Sequence, residues 1–331
     1  MKRTLFTLLA LLVLFLFWLF RPGEAPPVVS GPERLPELGV GVEGVQQLVF
    51  EHEQKAGPLK PDNHARIIWN EEYRNAKAPC SIVYIHGYTA SYGEGSPFHA
   101  RTARELGCHL YIARLHAHGL KTDEPLANMH ADSLLSSAAH ALSIGNLLGE
   151  QVVLVGTSMG GLLSIYLASE FPEEIDALIL LAPLIDFATP LSGVFNKAWG
   201  QRILRMRLGG SYLQGPMDDD DHSRYWYAGS HIRSLNVLKT LRDAVITEER
   251  LRRIKQPVFI GYYYADEDNQ DEIVSVSAML TLSKLLGTPL AQQRFVAFPE
   301  ADAHVIGSSY RTRVHHAVSD SVVAFVQVHG V

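Results

Sequence analysis

The chain opens on an apolar block with no polar face. After Lys2-Arg3, the seventeen residues Thr4 to Phe20 (TLFTLLALLVLFLFWLF) carry no charge and stop at Arg21-Pro22-Gly23. As a helix rising about 1.5 Å per residue, the run spans roughly 26 Å, close to a hydrocarbon core of about 30 Å. The pattern predicts one membrane helix over residues 1–21. A cleaved signal wants small residues at its end, whereas this run ends Phe17-Trp18-Leu19-Phe20, so a retained anchor is preferred over a signal peptide. Lys2 and Arg3 favour a cytoplasmic N-terminus and a periplasmic or otherwise extracytoplasmic body. Residues 22–44, rich in Pro and Gly and without a period, read as a linker leading away from the membrane.

From residue 45 the pattern changes. Leu48 to Phe50 and Arg66 to Trp69 read as two early strands around a polar connection. Ser81 to Ile85 is a short fully apolar strand, Pro97 to Leu106 a helix, His109 to Ala113 a strand, and Ala131 to Leu148 a longer helix with apolar spacing near 3.6. Val152 to Val155, Gly161 to Ser169 and Ile175 to Leu181 repeat strand, helix, strand. Apolar runs of this kind suit a parallel sheet covered on both faces, which sets the expected class as α/β. Between about residues 184 and 256 the strands cease and short helices are expected, an insertion lying over the sheet. Pro257 to Ile260 resumes the strands, Ile273 to Leu286 is a helix, Arg294 to Phe298 the last strand and Val314 to Val328 the closing helix. Residues 45–331 thus form one domain.

Composition adds exclusions. The 331 residues are 47% apolar and 19% charged, which rules out disorder for the bulk. A balance of 29 basic against 35 acidic residues, net -6, lacks the basic excess of a nucleic-acid binder. Two cysteines make no disulfide framework. Cys80 and Cys108 each open an apolar run; buried free thiols are the expectation and a bridge between neighbouring strands the alternative. His116 and His118 lack further ligands at zinc spacing, and no metal or organic cofactor is expected. Asp218 to Asp221 reads as a solvated loop.

The chemistry concentrates at Val152-Val153-Leu154-Val155-Gly156-Thr157-Ser158-Met159-Gly160-Gly161, a strand running through G-x-S-x-G into a helix. The glycines leave room for a tight, strained turn that lifts Ser158 Oγ clear of the backbone. The helix that follows aims unpaired N–H groups at the same place, Met159 N–H first, where an oxyanion would form. Ser158 is the candidate nucleophile.

Together with these residues, Ile85-His86-Gly87-Tyr88 and Arg114-Leu115-His116-Ala117-His118-Gly119 resemble the HG and R-L-x-G-H-G motifs of the α/β-hydrolase superfamily, of the serine esterase and monoacylglycerol lipase kind. The resemblance covers roughly residues 45–331, with Ala117 standing where a glycine is expected. It implies an α/β-hydrolase fold with a helical cap at about 184–256, a second oxyanion N–H from Tyr88, and a late histidine. Phe298-Pro299-Glu300-Ala301-Asp302-Ala303-His304 fits that last loop, so His304 is the candidate base. The acid lies in Asp266-Glu267-Asp268-Asn269-Gln270-Asp271. Counting from Pro257 favours Asp266, and counting back from Ile273-Val274 favours Asp271. Asp271 is preferred, with Asp266 and Asp268 as alternatives.

The resemblance implies cleavage of carboxylic esters, lipid or medium-chain acyl esters among them, through an acyl-enzyme. Thioester or amide cleavage by the same three groups is one alternative, and a non-catalytic binding protein on the same scaffold is another. The expected partners are a small-molecule or lipid ester and, through the N-terminal helix, the membrane. Tyr225-Trp226-Tyr227 in the insertion either pack the cap or wall an acyl pocket.

Overall fold

The computed structural model describes residues 2–23, 28–215 and 220–331. In chain order the elements are α1 (Lys2–Phe20), α2 (Val45–Gln54), β1 (Arg66–Ile68), β2 (Ala78–Ile85), α3 (Phe98–Leu106), β3 (His109–Ile112), α4 (Ala131–Leu148), β4 (Gly149–Thr157), α5 (Met159–Glu170) and β5 (Ala177–Leu181). Then come α6 (Ala198–Leu208), β6 (Tyr212–Gln214), α7 (Asp220–Tyr225), β7 (Gly229–His231), α8 (Arg233–Val245), α9 (Glu248–Arg253), β8 (Val258–Tyr262), α10 (Val276–Leu285), β9 (Gln293–Ala297) and α11 (His315–Val328). Seven strands form one sheet in the order β1-β3-β2-β4-β5-β8-β9. Every neighbouring pair is parallel except β1 with β3.

The uninterrupted apolar strands are explained by two covered faces. Along β4, Val152 and Leu154 pack into the core beneath α4 and α5, while Val153 and Val155 enter the core beneath α3 and α11. In β2, Val83 and Ile85 face the first core and Ile82 and Tyr84 the second. Each fully buried aliphatic side chain contributes about 1.5–3 kcal/mol, so a polar residue at these positions would cost more than a single mutation normally does.

The strand order also selects where a site can lie. From β2 the chain crosses to β3 on one side, whereas β4 lies on the other. In open α/β sheets a ligand crevice forms beyond the carboxyl ends of strands at such a reversal. Gly87 and Tyr88 follow β2, and Ser158 follows β4.

Three expectations change. The segment around Leu48 to Phe50 is helical and not a strand, because Val45, Val49 and Glu53, four residues apart, are the buried positions of α2. Residues 28–38 lie along the body: Asp132 Oδ1 accepts from Ser30 N at 3.0 Å, Pro32 O from Tyr166 Oη at 3.1 Å, and Pro36 O from Ser143 Oγ at 2.9 Å. The proline-rich stretch is therefore laid on α4 and α5. The cysteines, expected as free thiols, form a disulfide between Cys80 and Cys108. The register pairs Ser81 with His109, so the residues before them stand side by side, with Cα atoms 4.7 Å apart, inside the bridging range. The Asp218 to Asp221 run falls partly outside the described residues.

Apart from Leu19, the described side chains of α1 from Arg3 to Phe20 are exposed. Its end rests on α6, where Arg202 Nη1 donates to the carbonyls of Leu19 and Arg21 at 2.6 and 2.8 Å. A guanidinium there satisfies carbonyls that the helix end leaves open. From residue 182 to residue 257 no described residue adds a strand to the main sheet; β6 and β7 form a separate two-stranded piece.

Replacing both Cys80 and Cys108 by alanine removes the bridge and is expected to cost about 2–4 kcal/mol, lowering Tm by several degrees. Calorimetry of the detergent-solubilised chain, with and without reductant, checks this. An unchanged Tm contradicts it.

Candidate active site

Ser158 sits where β4 breaks into α5, with φ 54° and ψ -115°, a conformation costly for any residue with a Cβ. Two close approaches hold it there. A Cβ on Gly160 would stand 2.0 Å from the carbonyl oxygen of Ile85, and one on Gly156 2.4 Å from the carbonyl of Gly160. Only hydrogens fit at both sites. Ser158 N donates to Leu181 O at 3.0 Å, and Ser158 O accepts from Leu162 N at 3.1 Å and Leu184 N at 3.0 Å. The turn is thereby tied to β5 as well as to α5. Ser158 is nearly buried and opens into a cavity of about 590 Å³.

His304 lines the same cavity. Its Nδ1–H donates to Asp271 Oδ2 at 2.7 Å, and Asp271 Oδ1 accepts from Ile273 N at 2.9 Å and Val274 N at 3.0 Å. Burial alone would raise the Asp271 carboxyl, but the neighbouring His304 charge and these hydrogen bonds hold it below its usual range. For His304, burial works against the imidazolium, yet the Asp271 carboxylate prevails and raises its pKa above 6.5, helped by Glu94. His304 Nε2 has no hydrogen-bond partner among the described residues. The free nitrogen and Ser158 thus border one space without being bonded to each other.

The other two acid candidates are elsewhere. Asp266 is exposed and spends its carboxylate on its own turn, accepting from Asp268 N at 3.0 Å and Asn269 N at 2.9 Å. Asp268 reaches the cavity rim but does not bond His304. The five-residue disagreement between the two counts is the length of this extra turn.

Tyr88 N and Met159 N, the predicted oxyanion donors, have no hydrogen-bond acceptor among the described residues. The turn carrying Tyr88 is built on His86, which burial keeps neutral, with a pKa of about 4. His86 Nδ1–H donates to Gly87 O at 2.9 Å while its Nε2 accepts from Leu115 N at 3.2 Å. It therefore fastens the 114–119 loop to the end of β2. Within that loop Ala117 takes φ 64°, the conformation for which a glycine is expected, at a cost of about 1 kcal/mol. Arg114 Nε pairs with the buried Glu53 at 2.7 Å, anchoring the loop to α2. His116 and His118 bond carbonyls at Asn128 and His116, and no group of metal-binding side chains occurs among the described residues.

The aromatic triplet both packs the insertion and lines the cavity. Tyr225 Oη donates to Asp62 at 2.8 Å, Tyr227 Oη accepts from Leu120 N at 2.7 Å, and between them Trp226 walls the cavity. The rest of the wall is mixed, with Ile273 and Val305 beside Asp268, Glu272, Asp302 and Arg311. Lining residues that the sequence reading does not single out include Tyr263, Arg311 and Glu94, the last a buried carboxyl. For Glu94 the signal was present as a single charge within the otherwise uncharged Gly87 to Phe98 stretch.

Known proteins resemble this arrangement. The fold matches a structure from the study of LipS and LipT, metagenome-derived lipolytic enzymes, at TM-score 0.65 and 17% identity over 82% of this chain and 100% of the other. It matches a monoacylglycerol lipase from Paleococcus ferrophilus at TM-score 0.56 and 14% identity, over 81% and 99% of the two chains. A soluble variant of the monoglyceride lipase of Saccharomyces cerevisiae matches at TM-score 0.56 and 16% identity, over 75% and 87%. At such identities the likeness concerns the fold. No curated protein matches the chain by sequence. A family model described as alpha/beta hydrolase matches residues 82–322, most of the length; with the sheet order and the strand-to-helix turn at Ser158, this chain belongs to the alpha/beta hydrolase family.

Proposed function

We propose that the protein is a serine hydrolase that cleaves carboxylic esters through an acyl-enzyme. The observation that carries this reading is the single cavity into which Ser158 opens on its strained turn, beside His304 whose other nitrogen is held by Asp271 at 2.7 Å. In this reading His304 Nε2 takes the proton as Ser158 Oγ bonds to the acyl carbon. The oxygen gains charge and is met by Tyr88 N–H and Met159 N–H, which have no competing acceptor to leave. Collapse breaks the bond to the alcohol, which leaves with the proton from His304. Water then enters by the same route, with His304 as base, and frees Ser158. Asp271 stays ionised, fixing the imidazole tautomer and stabilising the imidazolium.

A cavity of about 590 Å³ lies within the range of small-molecule sites. Trp226, Ile273 and Val305 supply an apolar wall for an acyl chain, while Asp268, Glu272, Asp302 and Arg311 make another part of the lining polar, which suits a polar alcohol. A medium-chain or lipid ester fits this division. The likeness in fold to lipolytic enzymes and a monoacylglycerol lipase points the same way. Residues 1–21 act as anchor, supported by an apolar helix whose span Arg3–Phe20 is 6% buried. The Cys80–Cys108 disulfide supports an oxidising, extracytoplasmic location for the body.

Two measurements test the reading. A fluorophosphonate probe is expected to label the parent chain in detergent and to leave Ser158→Ala unlabelled; an unlabelled parent overturns the proposal. A panel of esters, thioesters and amides of increasing acyl length then ranks the leaving groups. In the kinetics of Asp271→Asn, kcat falls by about 10³–10⁴-fold. Because His304 must be neutral to act and Asp271 raises its pKa, the parent loses activity as pH drops through that raised value. In Asp271→Asn the acid limb of kcat/KM moves to lower pH, whereas Asp266→Asn keeps both rate and limb. Equal losses in the two variants contradict the assignment of Asp271.

A further inference from the structure

We propose that Glu94 is a positioning residue for acyl transfer, its carboxyl locking the turn that presents Tyr88 N–H to the elbow that presents Ser158. This rests on the serine hydrolase reading above and adds a fourth side chain to it.

Glu94 lies in a short 3-10 turn, Tyr92–Gly95, and is 2% exposed. No basic side chain pairs with it among the described residues. Instead Glu94 Oε2 accepts from Gly87 N at 2.6 Å and from Tyr84 Oη at 3.2 Å. Tyr84 Oη in turn lies 3.0 Å from Thr157 Oγ1. With Thr157 donating to Tyr84 and Tyr84 to Glu94, the hydroxyls form one chain that leaves no proton conflict. Its two ends are informative: Gly87 is the residue before Tyr88, and Thr157 the residue before Ser158. One carboxyl oxygen thus grips the backbone and side chain immediately upstream of both groups that meet the acyl carbonyl.

The packing agrees. A Cβ on Gly87 would stand 2.7 Å from Glu94 Oε1 and 3.1 Å from Ser158 Cβ, so the carboxyl and the nucleophile's own carbon crowd the same point. Oε1 accepts no hydrogen bond among the described residues, and Glu94 lines the cavity with Ser158 and His304. A buried carboxyl without a cation is an expensive way to fill space, and an apolar residue of that size would be cheaper. What the carboxyl supplies, and an apolar residue does not, is an acceptor for the Gly87 N–H. Without it the Gly87–Tyr88 turn is free to rotate, and an oxyanion donor displaced by about 1 Å loses about 100-fold in rate.

Burial pushes the pKa of Glu94 up to about 8, so near neutral pH it is mostly the neutral acid, with Oε2 accepting as its carbonyl oxygen, and it ionises as pH rises past that value. The other titratable groups around Glu94 are silent in that range. Burial holds Tyr84 and Tyr225 protonated well above it, while His86 and His99 stay neutral with pKa values of about 4. Beyond His304 stands Asp271, ionised throughout.

The test is steady-state hydrolysis of p-nitrophenyl butyrate by the full chain in detergent, over a pH series, for the parent, Glu94→Ala, Glu94→Gln and Tyr84→Phe. Glu94→Ala is expected to lose about 100-fold in kcat with KM nearly unchanged. Glu94→Gln, whose amide oxygen still accepts from Gly87 N, should recover about 10-fold of that loss and should lose the alkaline inflection near pH 8 that ionisation of Glu94 gives the parent. Tyr84→Phe, which keeps the Gly87 contact and cuts the Thr157 arm, should fall by a few-fold. If Glu94→Ala does not fold, Glu94→Gln and Tyr84→Phe carry the test through the alkaline inflection and kcat. A fluorophosphonate-reactive, active parent whose Glu94 variants keep its kcat and alkaline inflection overturns the role of Glu94 alone. A parent that neither labels nor hydrolyses overturns both readings.

Discussion

The backbone at Ser158 is the constraint on which the rest depends. A serine at φ 54° between a buried strand and a buried helix is unfavourable by itself. It persists because β4 and α5 are fixed by two hydrophobic cores and because Gly156 and Gly160 let the chain pass within van der Waals contact of β2. That same close passage brings the end of β2, with Gly87 and Tyr88, against the turn that carries Ser158. The strain at Ser158 and the nearness of Tyr88 therefore share one cause, the packing of the central strands.

From that point the site is assembled by loops at one edge of the sheet. The turn after β2 is pinned by His86 to the loop after β3 and by Glu94 to the interior. The loops after β8 and β9 bring Asp271 and His304 into contact, and the insertion between β5 and β8 lowers Trp226 onto the cavity. Each loop contributes one or two groups, and the rigid element is the sheet beneath them. This is why a single polar contact at the strand end, such as that of Glu94 with Gly87, has leverage on the chemistry while leaving the fold's main stabilisation untouched.

How much of this was legible in the sequence follows from where the information is local. The apolar strands, the glycines around Ser158 and the run before His304 each carry their signal within about ten residues, and the sheet, the strand-to-helix turn at Ser158 and the loop of His304 are legible from them. Val45 to Gln54 reads ambiguously because Leu48-Val49-Phe50 is a triplet that a strand also uses; only burial at every fourth residue reveals the helix. The disulfide depended on the register of β2 against β3, a relation between segments that spacing alone does not give. The acid stayed open among three aspartates because an extra turn, closed by Asp266 on Asn269, separates the strand end from Asp271. Glu94 escaped notice because its partners, Gly87, Tyr84 and through it Thr157, come from two strands and look unremarkable singly.

The central claim is that Ser158 carries the acyl group between two half-reactions. Acid-quenching the chain during turnover of p-nitrophenyl butyrate, followed by peptide mass mapping, tests it most directly. A butyryl adduct is expected on the peptide containing Ser158, at the Ser158 oxygen. Sustained turnover with no adduct there, or with the acyl group on another residue, would contradict it.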